Sequence, residues 1–196
     1  MAVRTVPGLR DVSRPSRPQL VPSSVMAMLI FVFTEVMLFA GFISAFSIMR
    51  GTALVWPPPN QPRLPVAETA FNTAVLLASG VALAGAHRLH RRSPQRARLP
   101  LLAAVLLGGF FVVFQGREWV RLVSQGLTLT SSALGSFFYL IVGLHALHAV
   151  AALGVLAYAW RRLERGWLPP SVLGAAEVFW YFVVGIWPLI YWRVYL

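Results

Sequence analysis

"FVFTEVMLFAGFISAF", residues 31–46, holds one ionisable side chain, Glu35, in an otherwise apolar run. The apolar chain continues to about residue 24 on one side and residue 49 on the other. Glu35 therefore falls near the middle of a segment long enough to cross a hydrocarbon layer of about 30 Å. What such a carboxylate means depends on the solvent around the helix. Of the 196 residues, 58% are hydrophobic and only 12% are charged, with a mean hydropathy of +0.69. That is about half the charge of an ordinary soluble domain, too little to cover a water-facing surface.

Four more apolar segments follow, at residues 66–87, 99–119, 131–160 and 172–194. With residues 24–49 they predict an all-α membrane protein of five transmembrane helices in one bundle, a single domain over residues 24–196. Residues 1–23, beginning "MAVRTVPGLRDVSRPSRPQLVP", are rich in Pro, Ser and Arg and have no apolar core of the kind a cleavable signal peptide needs, which predicts a mobile cytoplasmic tail.

The net charge of +11 would suggest nucleic acid in a soluble protein, but here the charges sort by loop. All seventeen basic residues are arginine, and twelve fall before the first helix, in the second loop (Arg88, Arg91, Arg92, Arg96, Arg98) and in the fourth (Arg161, Arg162, Arg165). Arg50, Arg63, Arg117, Arg121 and Arg193 fall on the other side. The positive-inside rule then puts the N-terminus in the cytoplasm and the C-terminus across the membrane, and excludes a nucleic-acid partner. The absence of cysteine excludes disulfides, iron–sulfur clusters, thiolate zinc sites and copper sites built on a cysteine pair.

Local chemistry refines the segments. Pro57, Pro58, Pro59 and Pro62 hold the first loop extended, beside Trp56 at an interface position. The second segment carries Ala74, Ala78, Gly80, Ala82, Ala84 and Gly85, small residues that allow close helix packing. The fifth carries Trp180, Tyr181, Trp187, Tyr191 and Trp192, read as interface anchors and packing groups, and Pro188, which should bend it or end its regular hydrogen bonding.

Glu35 has two readings: a proton-relay or headgroup-adjacent acid, or a buried neutral acid bonded to a neighbouring helix. His145 and His148 lie one turn apart on one face at mid-depth. Two ligands from one turn rarely complete a metal site, and His87 and His90 sit at another depth, so packing and hydrogen bonding is the favoured role. Glu118, beside Arg117, reads as a surface ion pair with Arg117 or Arg121, and Glu177 as a carboxylate favoured by the start of its helix.

In order and at family-like spacing, these motifs resemble subunit III of the haem-copper cytochrome c oxidases. "FTEVMLFAGFISAF" is similar to that family's helix with an intramembrane glutamate, followed by a loop with "WPPP". "FNTAVLLASGVALAGAH" is similar to its next helix, "QGREW" to its Gln-x-x-Glu-aromatic, and "LGSFFYLIVGLHALHAV" to its helix with two histidines. The likeness covers about residues 24–195. The chain lacks room for the first two helices of the seven-helix mitochondrial type and so resembles the five-helix bacterial form. In the family's Trp-His-Phe-x-Asp pattern, Tyr181 stands at the histidine and Val184 at the aspartate, as in a divergent branch.

The resemblance implies an accessory subunit without haem or copper of its own, those cofactors being in partner chains. It further implies a V-shaped cleft holding structural phospholipids, docking on the catalytic subunit I beside subunit II and a subunit IV, and support of proton uptake and of stability in turnover. Glu35 takes the place of the family's carbodiimide-reactive glutamate, while Glu118, His145 and His148 occupy its polar positions within the bundle. Three rivals are weighed against this. One is the accessory subunit of a nitric oxide reductase or of a quinol oxidase; a quinol-oxidising complex beside the oxidase in a supercomplex is instead a partner that the divergent fifth helix suggests. Another is a stand-alone proton-coupled transporter using Glu35, opposed by the lack of inverted repeats. The last is a di-haem cytochrome, which fails on ligand count.

Overall fold

The computed structural model describes residues 21–56 and 62–196, and among them every regular element is helical. Five long helices follow one another: α1 (Ser23–Thr52), α2 (Val66–Arg92), α3 (Arg98–Ser124), α4 (Ala133–Glu164) and α5 (Pro170–Ile190). A 3-10 turn, Pro94–Ala97, leads into α3, and a π turn, Tyr191–Tyr195, follows α5. All five are long and apolar enough to cross a membrane. The tail up to residue 20 and the run Pro57–Pro59 lie outside the described residues.

The helices begin and end where backbone chemistry requires. Pro22, Pro65 and Pro169 precede α1, α2 and α5, and Pro170 opens α5 without an N–H to leave unpaired. Ser132 caps α4, its Oγ accepting from the Gly135 N–H at 3.0 Å. The C-termini of α3 and α4 share one device. Gly126 and Gly166 take positive φ of 93° and 78°, which lets the next residue, Leu127 or Trp167, donate its N–H back to the carbonyl of Leu122 or Arg162 at 3.0 and 3.2 Å.

Apolar length alone understates these helices. α2 runs to Arg92, α3 to Ser124 and α4 to Glu164, because hydropathy marks where hydrocarbon ends while the backbone ladder continues into the headgroup region. α4, with 32 residues, is about 48 Å long. Pro188 lies inside α5, and regular bonding gives way to the π turn three residues later.

α5 is the centre of the bundle. It packs against α1, α2 and α4, while α3 closes the far side against α2 and α4. Its most apolar window is 61% buried against 6% for α1, which lies on the outside and touches only α5 and α4 appreciably. Close approach depends on small residues: the ring of Trp180 fills the space a side chain at Gly108 would occupy, and Val184 lies against Gly80. Trp180 and Trp187 are fully buried, so they are core residues and not interface anchors. α1 and α5 run parallel: Ser24 Oγ donates to the carbonyl of Ser171 at one end, and Arg50 donates to those of Arg193 and Leu196 at the other. The Arg-rich loops of α2–α3 and α4–α5 share the first of these ends.

Candidate functional site

Glu35 on α1 faces inward and meets His148 on α4, with Oε2 and Nε2 3.1 Å apart and side chains only 16% and 10% exposed. The other ring nitrogen, Nδ1, lies 2.8 Å from the carbonyl oxygen of Leu144, one turn back on α4. A carbonyl can only accept, so Nδ1 carries the hydrogen and Nε2 is left to face Glu35. A proton on Nε2 makes an imidazolium opposite a carboxylate; a proton on Glu35 makes a carboxylic acid facing a neutral imidazole. The 3.1 Å approach is an ion-pair distance and not an aligned hydrogen bond, since Glu35 Oε2 is buried without a hydrogen-bond partner. Phe31, Phe39, Phe179 and Phe182 wall the imidazole, with ring centroids 5.7–6.3 Å away. This junction of α1, α4 and α5 is where an acid in the membrane is tolerable.

His145, one turn earlier, serves a different neighbourhood. Its ring is stacked on Trp187 at 4.8 Å and meets Phe39 and Phe111 edge-on. Neither ring nitrogen has a hydrogen-bond partner, and the residue lines a cavity of about 140 Å³ between α3 and α4 with Gln115 and Trp119. The two histidines share a helix face and the neighbour Phe39, yet they do not converge on one point. No group of three or more His, Asp or Glu side chains suited to a metal occurs among the described residues.

A second polar system joins α2 to α3 and α5. Asn72 Nδ2 donates to the Phe111 carbonyl at 3.1 Å and to Gln115 Oε1 at 3.3 Å, and Gln115 Nε2 donates to the Tyr195 hydroxyl at 3.1 Å. Trp187 donates to Thr73 Oγ1 at 2.9 Å and Trp180 to Ser79 Oγ at 3.1 Å. In the sequence, Asn72, Thr73, Ser79 and Gln115 stand out only as parts of motifs, while Trp180 and Trp187 stand out singly. The signal was there, since Asn72, Thr73 and Ser79 repeat at helical spacing on one face of α2.

Two carboxylates stand otherwise than expected. Glu118 is buried, with Oε2 unpartnered, because its side of α3 turns toward the bundle; Arg121 reaches Glu68 instead, at 3.6 Å. Glu177 lies in the third turn of α5, past the reach of the helix start, and both its oxygens approach Nδ1 of His87 on α2, at 2.9 and 2.8 Å. At the two positions where the resemblance calls for histidine and aspartate, Tyr181 is 40% exposed and Val184 packs on Gly80.

Residues 20–196 match the family model described as Cytochrome c oxidase subunit III. A protein of Nocardia farcinica named Probable cytochrome c oxidase subunit 3 is 32% identical over 178 residues, covering 88% of this chain and 85% of the relative. Human cytochrome c oxidase subunit 3 is 31% identical over 202 residues, covering 95% and 76%. The subunit of Pelomedusa subrufa is 32% identical over 179 residues, covering 86% and 67%. With a five-helix membrane fold, an intramembrane glutamate paired to a histidine, and a match over nearly all of its length, the chain belongs to the cytochrome c oxidase subunit III family.

Proposed function

We propose that this chain works as the accessory, non-redox subunit of a bacterial haem-copper terminal oxidase. It associates with other oxidase subunits, the catalytic subunit I and subunit II among them, and has no catalytic centre of its own. Haem and copper belong to those partners, which carry electrons from cytochrome c to oxygen while the complex pumps protons. The distribution of donors supports this: of the four histidines, His148 is engaged by Leu144 and Glu35 and His87 by Glu177, while His145, its ring nitrogens unpartnered, is enclosed by aromatic rings and His90 lies at the Arg-rich end. The chain sits in the inner membrane with its Arg-rich end in the cytoplasm.

The observation that carries the mechanistic part is the Glu35–His148 pair. An acid and an imidazole 3.1 Å apart between α1 and α4 form a site that can take up a proton or release it with little movement. Placed next to a catalytic subunit, the pair supports proton uptake. Phospholipids cover the outer face of α1, where an apolar groove of about 480 Å³ runs against α5 between Ile43, Ser47, Ile186 and Leu189.

The test is the assembled oxidase carrying Glu35→Gln or His148→Gln. Glutamine keeps the shape and a hydrogen bond but cannot exchange the proton. The complex should assemble at normal levels, with slower proton uptake and a shorter active life in turnover. Unchanged uptake and lifetime in both variants would refute a proton role for the pair.

A further inference from the structure

A recess of about 660 Å³ opens at the Arg-rich end, between the loop joining α2 to α3 and the loop joining α4 to α5. Its rim is cationic, with His90 and Arg91 from α2 and Arg98 from the start of α3. Its floor is apolar, with Leu163 and Leu168, and Trp167 forms one wall. The wall is braced from outside the recess: the positive φ of Gly166 turns the chain so that the Arg162 guanidinium stacks on the Trp167 ring at 3.6 Å.

The charges are not cancelled locally. Glu164 is the acid at hand, and it engages only Arg98, at 3.6 Å. Among the described residues Arg91 forms no ion pair, and His90 Nδ1 is buried without a hydrogen-bond partner. Arg88, Arg92, Arg96, Arg161 and Arg165 on the same two loops add to the field. A free phosphate would be served by the rim alone. A cationic rim over an apolar floor, at the depth where hydrocarbon ends, fits a group that is anionic above and greasy below.

We propose that this recess binds the phosphodiester headgroup of an anionic phospholipid. The site lies at the opposite end of the bundle from Arg50 and Arg193 and apart from the groove along α1. Arg91 and Arg98 would take the phosphate oxygens, His90 Nδ1 a further polar atom, and Trp167 with Leu168 the glycerol and the first acyl carbons.

The full chain in nanodiscs tests this, with phosphatidylglycerol titrated into phosphatidylcholine and retained lipid counted by native mass spectrometry. Each surface cation is worth about fivefold in affinity for anionic lipid, so Arg91→Gln should weaken retention about fivefold and the pair Arg91→Gln/Arg98→Gln about twenty-five-fold. Arg165→Gln removes the same charge outside the recess, where only the general field is lost, and should weaken retention clearly less than Arg91→Gln. An equal loss in Arg165→Gln would mean general surface attraction and overturn the site. Displacement of the lipid by millimolar inorganic phosphate would assign the rim to free anions and overturn the lipid assignment. Arg91 is exposed, so its variant reports binding even if the double variant folds poorly.

Discussion

At the scale of single residues, the telling observation is that carboxylates with similar sequence surroundings have different fates. Glu35 was legible as special because nothing else in its segment is ionisable. Glu118 and Glu177 were not, because helix-end composition says how far along a helix a residue lies but not which way it faces. Glu118 shares a turn with Arg117 and Arg121, yet only the arginines turn outward. Trp180 and Trp187 were read as anchors or packing groups, and of those two roles the small residues of their neighbours select packing. Gly108 is the sharpest of those neighbours, since a Cβ there would stand 2.5 Å from Trp180 Cη2. Gly108→Val should therefore lower the yield of folded chain severely, by a cost of about 1–3 kcal/mol from overpacking. Gly109, one position on, has nothing within 4 Å of an added Cβ, so Gly109→Ala should be accepted. Thermal unfolding in detergent distinguishes the two.

At the scale of the helix, the boundaries and the seams were legible to different degrees. Five segments could be counted from hydropathy, because a bilayer demands continuous apolar length. Which helix touches which could not, since apolar residues face lipid and protein alike and no polar side marks the surface. The α2–α3 seam shows what decides it. Asn72 reaches the Phe111 carbonyl and Gln115, and Gln115 reaches Tyr195, so one polar chain fixes three elements. Asn72→Leu removes two donations and leaves Gln115 Oε1 without that partner. The expected loss is about 1–2 kcal/mol, as interhelical hydrogen bonds in membranes are individually modest. Gln115→Leu should cost a similar amount, and the double variant less than the sum, because the two residues share a bond. Unfolding of all four proteins in a denaturing detergent series would measure that coupling.

At the scale of the whole molecule, charge and packing make separate statements that converge. The packing shows α1 and α5 parallel, α1 on the outside and the Arg-rich loops together at one end. The charge predicts that this end faces the cytoplasm. The chain has no cysteine, so single-cysteine variants report topology without background. Arg91→Cys should be labelled by an impermeant maleimide only from the cytoplasmic face of inverted vesicles, and Gln125→Cys only from the opposite face of spheroplasts. Labelling of both from one side would contradict an arrangement in which α3 crosses the membrane once. The family assignment was likewise legible from motifs in order. The pairing of Glu35 with His148 was not, because it joins residues more than a hundred positions apart across a packed interface.

The central claim is that this chain is one part of a haem-copper oxidase and does its work there. It is tested most directly by purification from native membranes in mild detergent through a tag at the N-terminus. Co-purifying chains would be identified by mass spectrometry, and an optical spectrum recorded. The account predicts a large haem-bearing chain and a copper-bearing chain in stoichiometric amount, with the haem spectrum lost when the tagged chain is separated from them. A chain that purifies alone and colourless from membranes that retain oxidase activity would contradict it.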